Sequence, residues 1–374
     1  MIWNVLAFVP LFIWCSILLL PWKPWRTKEV LDADPGADAD PLQELTVLIP
    51  ARNEAQVIDR TLRGVRAQGP DLRIILVDDQ STDDTARTAR QSGSAPLLII
   101  EGQPPTQGWS GKLWALEQGL KQVHSEWVLL LDADIELAPG IVSLLLKKAK
   151  TEGLEFISLM ARLRMQGFWE RLLMPAFIYF FKLLYPFRRS NTLSSKVAAA
   201  AGGCILLETA LLRRLGGFEP IRDALIDDCA LAGAAKSLGA HTWIGLTHSA
   251  KSLRAYGGFR EISNMVARTA FYQLRYSVSL LFFLTLAMTL LFWIPVVGFG
   301  FPSTGAKILS ALSLTAMMAS YLPTLRFYGL PMGWSAALPL VGTLYLAMTW
   351  ISAIRFWRGL GARWKGRAYG AGDI

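Results

Sequence analysis

The sequence predicts an α/β domain built on a mostly parallel sheet, with transmembrane α-helices at both ends of the chain. Three observations support this fold class: uncharged apolar runs near both termini, short apolar segments alternating with helical patterns between them, and acidic residues directly after those segments. Only 18% of the 374 residues are charged, below the roughly 25% of soluble domains, and 52% are hydrophobic. This composition excludes a disordered chain and argues against a purely soluble one.

The first apolar run covers residues 1–22, which carry no charged side chain. A hydrocarbon core of about 30 Å needs about 20 helical residues, so the run is long enough to span it. Basic residues follow the run instead of preceding it, and no small-residue cleavage site is apparent, so we predict a retained anchor rather than a signal peptide. Residues 23–41 are the predicted linker, because 32–40 are acidic and rich in turn formers.

The C-terminal part predicts about three further transmembrane segments within 277–355. Its charge-free gaps run from Arg275 to Lys307, from Lys307 to Arg326 and from Arg326 to Arg355. We place the spans near 278–299, 308–325 and 334–354. Residues 356–374 form a basic tail. Buried helices of a large soluble core are the alternative interpretation.

Two shorter apolar stretches contain basic residues and are too short to span. Residues 168–187 and 261–276 predict helices that lie in the membrane interface, with packing against the core as the alternative. An odd number of full spans after a cytoplasmic domain would put the basic tail outside, against the positive-inside bias. The last segment, near Pro331 and Pro339, is therefore the candidate for a re-entrant or interfacial helix.

Residues 42–260 predict the α/β domain. Its apolar strand candidates are 45–49, 73–77, 97–100 and 127–131, with a helix around 55–67. Short apolar strands alternating with helices are typical of a parallel sheet covered on both faces. In such sheets the ligand crevice lies beyond the carboxyl ends of the strands. Polar residues at those ends are therefore the candidate site.

Acidic residues follow two of these strands. Asp132 and Asp134 come after the fourth, where carboxylates suit a hard divalent cation such as Mg²⁺ or Mn²⁺ with substrate phosphates completing its shell. Asp79 has the same position after the second strand, although a turn followed by a helix cap explains it as well. Lys112 follows a glycine-containing segment and could meet a phosphate, or it could be a surface lysine.

Other site classes find little support in the sequence. The three cysteines (Cys15, Cys204, Cys229) and the three histidines are scattered, so neither a disulfide framework nor a zinc site is expected. The chain has 38 Lys+Arg against 29 Asp+Glu, and the excess lies largely beside apolar segments. This distribution indicates contact with anionic lipid at the membrane surface. No nucleic-acid-binding motif accompanies it, so we expect no nucleic acid partner.

Taken together, these segments resemble the family-2 glycosyltransferases, which have the GT-A fold, a Rossmann-like catalytic domain. The resemblance covers roughly 45–260. It is carried by Val47–Glu54, Val77–Thr85, Gly111-Lys112, Leu130–Asp134, Gly202-Gly203, Gly216–Phe218 and Ile226–Asp228. The segment Gly108–Trp114 and the arrangement of spans resemble a narrower group, the hopene-associated glycosyltransferases. Ceramide glucosyltransferases are more distantly similar.

The resemblance implies a role for each matching residue. Residues of the nucleotide-sugar site would be Pro50, Arg52, Glu54, Asp79, Lys112 and Asp132. Asp132 and Asp134 would hold the metal, with Asp134 as the more direct ligand. Asp228 would be the general base, and Asp227 would orient loops or the surroundings of the metal. Processive relatives carry Q-x-x-R-W after the base, which Gln273–Tyr276 does not match.

The sequence therefore predicts a metal-dependent glycosyltransferase that moves one sugar from a nucleotide sugar, taken as UDP-linked, to a lipid acceptor, with a hopanoid as the candidate lipid. We expect a multi-pass protein of the bacterial inner membrane with its catalytic domain in the cytoplasm, where nucleotide sugars are found. The alternatives are a polyprenyl-phosphate sugar synthase and a non-catalytic membrane assembly or transport component that retains the fold.

Overall fold

The computed structural model describes residues 1–34, 42–70, 72–93, 96–360, 362–364 and 367–369, the last two ranges in backbone only. Most of the acidic stretch of the predicted linker and most of the basic tail lie outside these residues. The strands are β1 Leu45–Ala51, β2 Arg73–Asp78, β3 Leu97–Glu101, β4 Trp127–Leu131, β5 Ile135–Leu137, β6 Phe156–Arg162, β7 Cys204–Glu208, β8 Thr242–Ser252, β9 Ala362–Trp364 and β10 Arg367–Tyr369.

Some of the helices are amphipathic, and others are apolar on every side. They are α1 Ile2–Leu19, α2 Ile58–Arg66, α3 Thr85–Gln91, α4 Gly111–Leu120, α5 Ile141–Glu152, α6 Phe168–Leu184, α7 Phe187–Ser190, α8 Thr209–Arg214, α9 Asp227–Ser237, α10 Phe259–Ala267, α11 Ala270–Gln273, α12 Val278–Val297, α13 Thr304–Phe327 and α14 Leu338–Trp357.

The chain divides into two compact units. Over the described residues, an α/β unit lies within 29–164 and 189–255, and a helical unit lies within 1–28, 165–188 and 256–360. The first of these contains the four strands that the sequence predicts.

The α/β unit is built on a mixed, mostly parallel sheet. Over the described residues the sheet has eight strands in the order β3-β2-β1-β4-β7-β6-β8-β5. The strands β3, β2, β1 and β4 are mutually parallel, and β6 is parallel to β8. The strands β7 and β5 run antiparallel to their neighbours. The carboxyl ends of β1, β2 and β4 therefore meet at one edge, as the strand pattern predicts.

Helices cover both faces of this sheet because its central strands are apolar on both sides. Along β4, Leu129 packs into one core with residues of α2 and α5, whereas Val128 and Leu130 pack into the other with residues of α4, α8 and α9. Successive side chains of a strand point to opposite faces, so a continuously apolar strand needs both layers. The continuous run at 127–131 is thus the direct sequence signature of this architecture.

The helical unit holds four helices that are long and apolar enough to cross a membrane, counted over the described residues. They are Ile2–Leu19, Val278–Gly300, Thr304–Phe327 and Met332–Trp357. Pro339 lies at the start of α14, where its missing N–H breaks no helical bond, and α14 then continues for 20 residues. The last segment therefore has the length of a full span, and a re-entrant or interfacial placement of it stays a prediction.

Helix α6 belongs to the helical unit, whereas the sequence places 168–187 within the α/β domain. The Tyr179 hydroxyl lies 2.6 Å from Ser320 Oγ of α13, and the Tyr345 hydroxyl of α14 donates to the Leu173 carbonyl over 2.8 Å. Residues more than 140 positions apart make these contacts, so the local pattern could not reveal them. The placement of α6, α10 and α11 in the membrane interface stays a prediction.

Candidate active site

Hydrogen bonds from Arg52 and to Asn53 join the two turns at the carboxyl ends of β1 and β2. Arg52 Nη1 donates to the main-chain carbonyls of Asp79 and Gln80 over 2.5 and 3.0 Å. Asn53 adopts a left-handed backbone (φ 52°), and its side-chain oxygen accepts from Thr82 N over 2.8 Å. Asp79 is 1% exposed. Four predicted nucleotide-site residues (Pro50, Arg52, Glu54 and Asp79) therefore lie on these two adjoining segments.

A lysine and two acids from three separate elements meet beyond β4. Lys112, in the first turn of α4, places Nζ 2.8 Å from Asp132 Oδ1 and 3.2 Å from Asp227 Oδ2. Ser110 caps α4 by accepting from Leu113 N over 3.3 Å, which fixes the turn that carries Lys112. The structure thus brings together three residues that the sequence could relate only through a resemblance.

Asp228 lies beside this group in the first turn of α9. Its Oδ2 accepts from Gly202 N over 2.8 Å, and its Oδ1 accepts from Cys229 N over 2.7 Å. A Cβ at Gly202 would lie 3.1 Å from Lys112 Nζ and 3.4 Å from Asp228 Oδ2, so a larger residue there would crowd both groups. Lys112, Asp132, Asp227 and Asp228 line one pocket together with Pro50 and the apolar side chains of Phe218 and Leu231.

The electrostatics of this pocket are dominated by three carboxylates around one ammonium group. Burial lowers the pKa of Lys112, but the charges of Asp132 and Asp227 outweigh it and hold that pKa above its usual value. Burial also raises the pKa of Asp132 against the opposing effect of Lys112. Burial and the neighbouring Asp227 charge raise the pKa of Asp228 to about 6. A carboxyl with this pKa is ionised at neutral pH and can still accept a proton efficiently.

Asp134 is buried, at 8% exposure, and pairs with a residue that the sequence analysis missed. Arg254 Nε lies 3.0 Å from Asp134 Oδ2, and Nη2 of the same guanidinium lies 2.9 Å from Glu54 Oε1. Arg254 follows β8, whose parallel pairing with β6 brings its carboxyl end to the same edge of the sheet. The sequence analysis did not predict β8. Recognising that strand would have identified Arg254 as a polar residue at its carboxyl end.

The donor set suits a divalent cation that also binds a diphosphate. Among the described residues, no group of three or more His, Cys, Asp or Glu side chains is arranged to hold a metal ion. Mg²⁺ needs only one or two carboxylates when substrate phosphates supply its other ligands. Asp132 and Asp134 follow one strand and offer two carboxylates, so they fit a cation that enters with the donor.

Comparisons with known proteins agree with this geometry. Residues 46–216 match the family model described as glycosyl transferase family 2. Residues 46–216 are therefore a region similar to the family-2 glycosyltransferases, called the family-2 domain below, and all of it except 165–188 lies in the α/β unit. Of the predicted site residues, Asp227 and Asp228 lie outside the matched residues, and so does Arg254.

Curated relatives match part of this domain. A 4,4'-diaponeurosporenoate glycosyltransferase of Staphylococcus haemolyticus is 30% identical over 120 residues, which is 32% of each chain. The enzyme of the same name from Staphylococcus aureus is 33% identical over 111 residues, 29% of each chain. The chain thus spans about a third of the length of these relatives.

A solved structure shows the fold. A mannosyltransferase from Pyrobaculum calidifontis, solved with GDP-mannose and Mn²⁺, superimposes with a TM-score of 0.54 over 94% of this chain and 99% of its own, at 19% identity. The family-2 domain therefore has the GT-A fold.

Proposed function

We propose that the chain is a membrane-bound glycosyltransferase that moves one sugar from a UDP-sugar to a hydroxyl of a lipid, with a hopanoid as the candidate acceptor. The proposal is supported above all by the pocket in which Lys112 and Asp132 of the family-2 domain meet Asp227 and Asp228. Four helices of membrane-spanning length support a lipid acceptor. The name of the Staphylococcus relatives, 4,4'-diaponeurosporenoate glycosyltransferase, agrees with this. The protein lies in the bacterial inner membrane with its family-2 domain in the cytoplasm.

The donor binds along the carboxyl edge of the sheet. The turns at Arg52 and Asp79 hold the nucleoside, and Lys112 faces the diphosphate with its positive charge. Asp132 and Asp134 would hold a divalent cation, which would supply positive charge to the leaving UDP. Pro50, Phe218 and Leu231 line the pocket with apolar surface and exclude water from its floor.

Asp228 acts as the general base. Its two main-chain hydrogen bonds fix the carboxylate in one orientation. Ionised at neutral pH, it takes the proton of the acceptor hydroxyl as that oxygen attacks the anomeric carbon of the sugar. Asp227 stays paired with Lys112 and holds the ammonium group in place.

A direct test is UDP release by the detergent-solubilised full chain, with UDP-sugars and Mn²⁺, in the presence and absence of a bacterial lipid extract. We expect release that depends on the lipid and is lost on adding a chelator. Asp134→Asn should abolish release while the protein still folds, and Asp223→Asn, which changes an exposed acid of the loop before α9, should retain it.

The outcomes separate the alternatives. Release that requires polyprenyl phosphate in place of a hydroxyl-bearing lipid would favour a polyprenyl-phosphate sugar synthase. If the chain neither binds UDP nor releases it under any of these conditions, the result would favour a non-catalytic component. Release undiminished by chelator and by Asp134→Asn would contradict the proposed metal role.

A further inference from the structure

A cation of the chain itself already neutralises Asp134. Arg254 Nε contacts Asp134 Oδ2 over 3.0 Å, and Nη2 contacts Glu54 Oε1 over 2.9 Å. The planar guanidinium suits such a bridge, because its N–H groups point in fixed directions toward two acceptors. Arg254 therefore joins a residue assigned to the nucleoside with a residue assigned to the metal.

The main chain around Arg254 is hydrogen-bonded to the site, and its side chain is partly exposed. Leu253 N donates to the Asp134 carbonyl over 2.7 Å, and Ser252 Oγ lies 3.4 Å from Asp134 Oδ2. The Arg254 side chain is 37% exposed, against 11% for Asp134. A guanidinium that moves into solvent gains hydration but loses its ion pairs with Asp134 and Glu54, and it leaves the buried Asp134 carboxylate without this cation.

We propose that Arg254 holds Asp134 Oδ2 until the donor binds, and that a divalent cation reaches this carboxylate only by displacing the guanidinium. The inference rests on the proposed function, which assigns Asp134 to the metal. Two cations at the same oxygen repel each other strongly in a partly buried site. The donor diphosphate brings negative charge that can accept both the metal and the released Arg254, so metal and donor bind cooperatively.

The test measures binding of Mn²⁺ to the detergent-solubilised full chain, with and without UDP. The electron paramagnetic resonance signal of free Mn²⁺ reports how much of the ion remains unbound. Arg254→Met removes the charge at similar length, and Arg254→Lys keeps a charge that cannot bridge both carboxylates. Arg60→Met is the matched control, because it breaks an exposed pair with Glu136 in the same unit. A thermal unfolding scan of each variant verifies folding.

Without UDP, we expect Arg254→Met to bind Mn²⁺ about tenfold more tightly than the wild type, which is within the usual range of coupling between sites. Arg254→Lys should show a smaller gain, and Arg60→Met should match the wild type. UDP should strengthen Mn²⁺ binding more in the wild type than in Arg254→Met. If Arg254→Met does not fold, the gain in Arg254→Lys decides the question.

Three results would contradict the inference. Weaker Mn²⁺ binding by Arg254→Met would show that Arg254 orients Asp134 for the metal instead of excluding it. Unchanged affinity in both Arg254 variants, with UDP still strengthening Mn²⁺ binding in the wild type, would overturn displacement and leave the proposed function intact. Absence of Mn²⁺ binding in every protein, even with UDP, would overturn the proposed metal role and this inference together.

Discussion

The pocket contains more carboxylates than positively charged side chains, and this excess determines which ligands it can bind. Lys112 is the cation that faces Asp132 and Asp227, and Asp228 adds a third carboxylate nearby. A donor diphosphate adds more negative charge to a site that already has more acids than bases. Such a donor therefore needs a further cation, which is the physical argument for a divalent metal at Asp132 and Asp134.

The first prediction separates the two adjacent acids of α9. Asp228→Asn should retain UDP and Mn²⁺ binding and lose turnover by about 10²-fold or more, the effect usual for removal of a general base. Asp227→Asn should be milder, because it removes only one of the two carboxylates that contact Lys112. Steady-state kinetics with both variants, and Asp223→Asn as the control, check this. The reverse ranking would assign the base to Asp227.

The second prediction concerns pH. Because burial and Asp227 raise the pKa of Asp228 to about 6, the base is protonated below that pH and ionised above it. The value of kcat/KM should therefore fall as the pH drops through about 6. Asp227→Asn removes one cause of the shift, so its acid limb should move to lower pH. An acid limb in the same place for both proteins would contradict this electrostatic account.

At the scale of elements, α4 holds the loop that leads to Asp227 and Asp228. Glu117 Oε2 accepts from Phe218 N over 2.8 Å, and Ser110 N donates to the Arg222 carbonyl over 2.7 Å. The helix that carries Lys112 is therefore tied at both ends to the segment between β7 and α9. Such double attachment fixes the distance between Lys112 and Asp227.

The third prediction tests this attachment with two glycines. Gly217 has φ 73°, and a Cβ there would lie 2.6 Å from Glu117 Oε2, whereas Gly153 has φ 62° and open space around it. Alanine at either position strains a left-handed backbone by about 1 kcal/mol. Gly217→Ala must also displace Glu117, so it should lower the thermal midpoint further than Gly153→Ala and reduce turnover. Equal effects on stability and activity would contradict the attachment.

Local patterns predicted the parts of the site that follow strongly apolar strands. The continuous runs at 73–77 and 127–131 identify β2 and β4, and the acids after them mark the sheet edge. Arg254 could not be found this way, because its position depends on the pairing of β8 with β6, some 85 residues earlier in the chain. The grouping of α6 with α13 and α14 likewise depends on packing between distant segments.

At the scale of the whole molecule, four helices of membrane-spanning length set the topology. With the family-2 domain in the cytoplasm, α1 places the N-terminus outside. We predict three further crossings by α12, α13 and α14, which would place the end of α14 outside as well, although the sequence that follows is basic. The unbroken 20 residues of α14 favour this exception to the positive-inside bias.

The fourth prediction tests this topology by cysteine labelling in intact cells. A cysteine at Ser303, between α12 and α13, and one at Gly370, which lies outside the described residues, should both react with a membrane-impermeant reagent from the outer face. Variants lacking Cys15, Cys204 and Cys229 supply the background. Labelling of Ser303→Cys alone would show that α14 does not cross.

The central claim is transfer of a sugar to a lipid, and the most direct measurement is the appearance of the product. The purified chain is incubated with UDP-sugars carrying a heavy isotope, Mn²⁺ and a bacterial lipid extract, and the organic phase is analysed by mass spectrometry. The account predicts a lipid whose mass increases by one isotopic sugar and that is absent with Asp228→Asn. No labelled lipid, or equal labelling with Asp228→Asn, would contradict it.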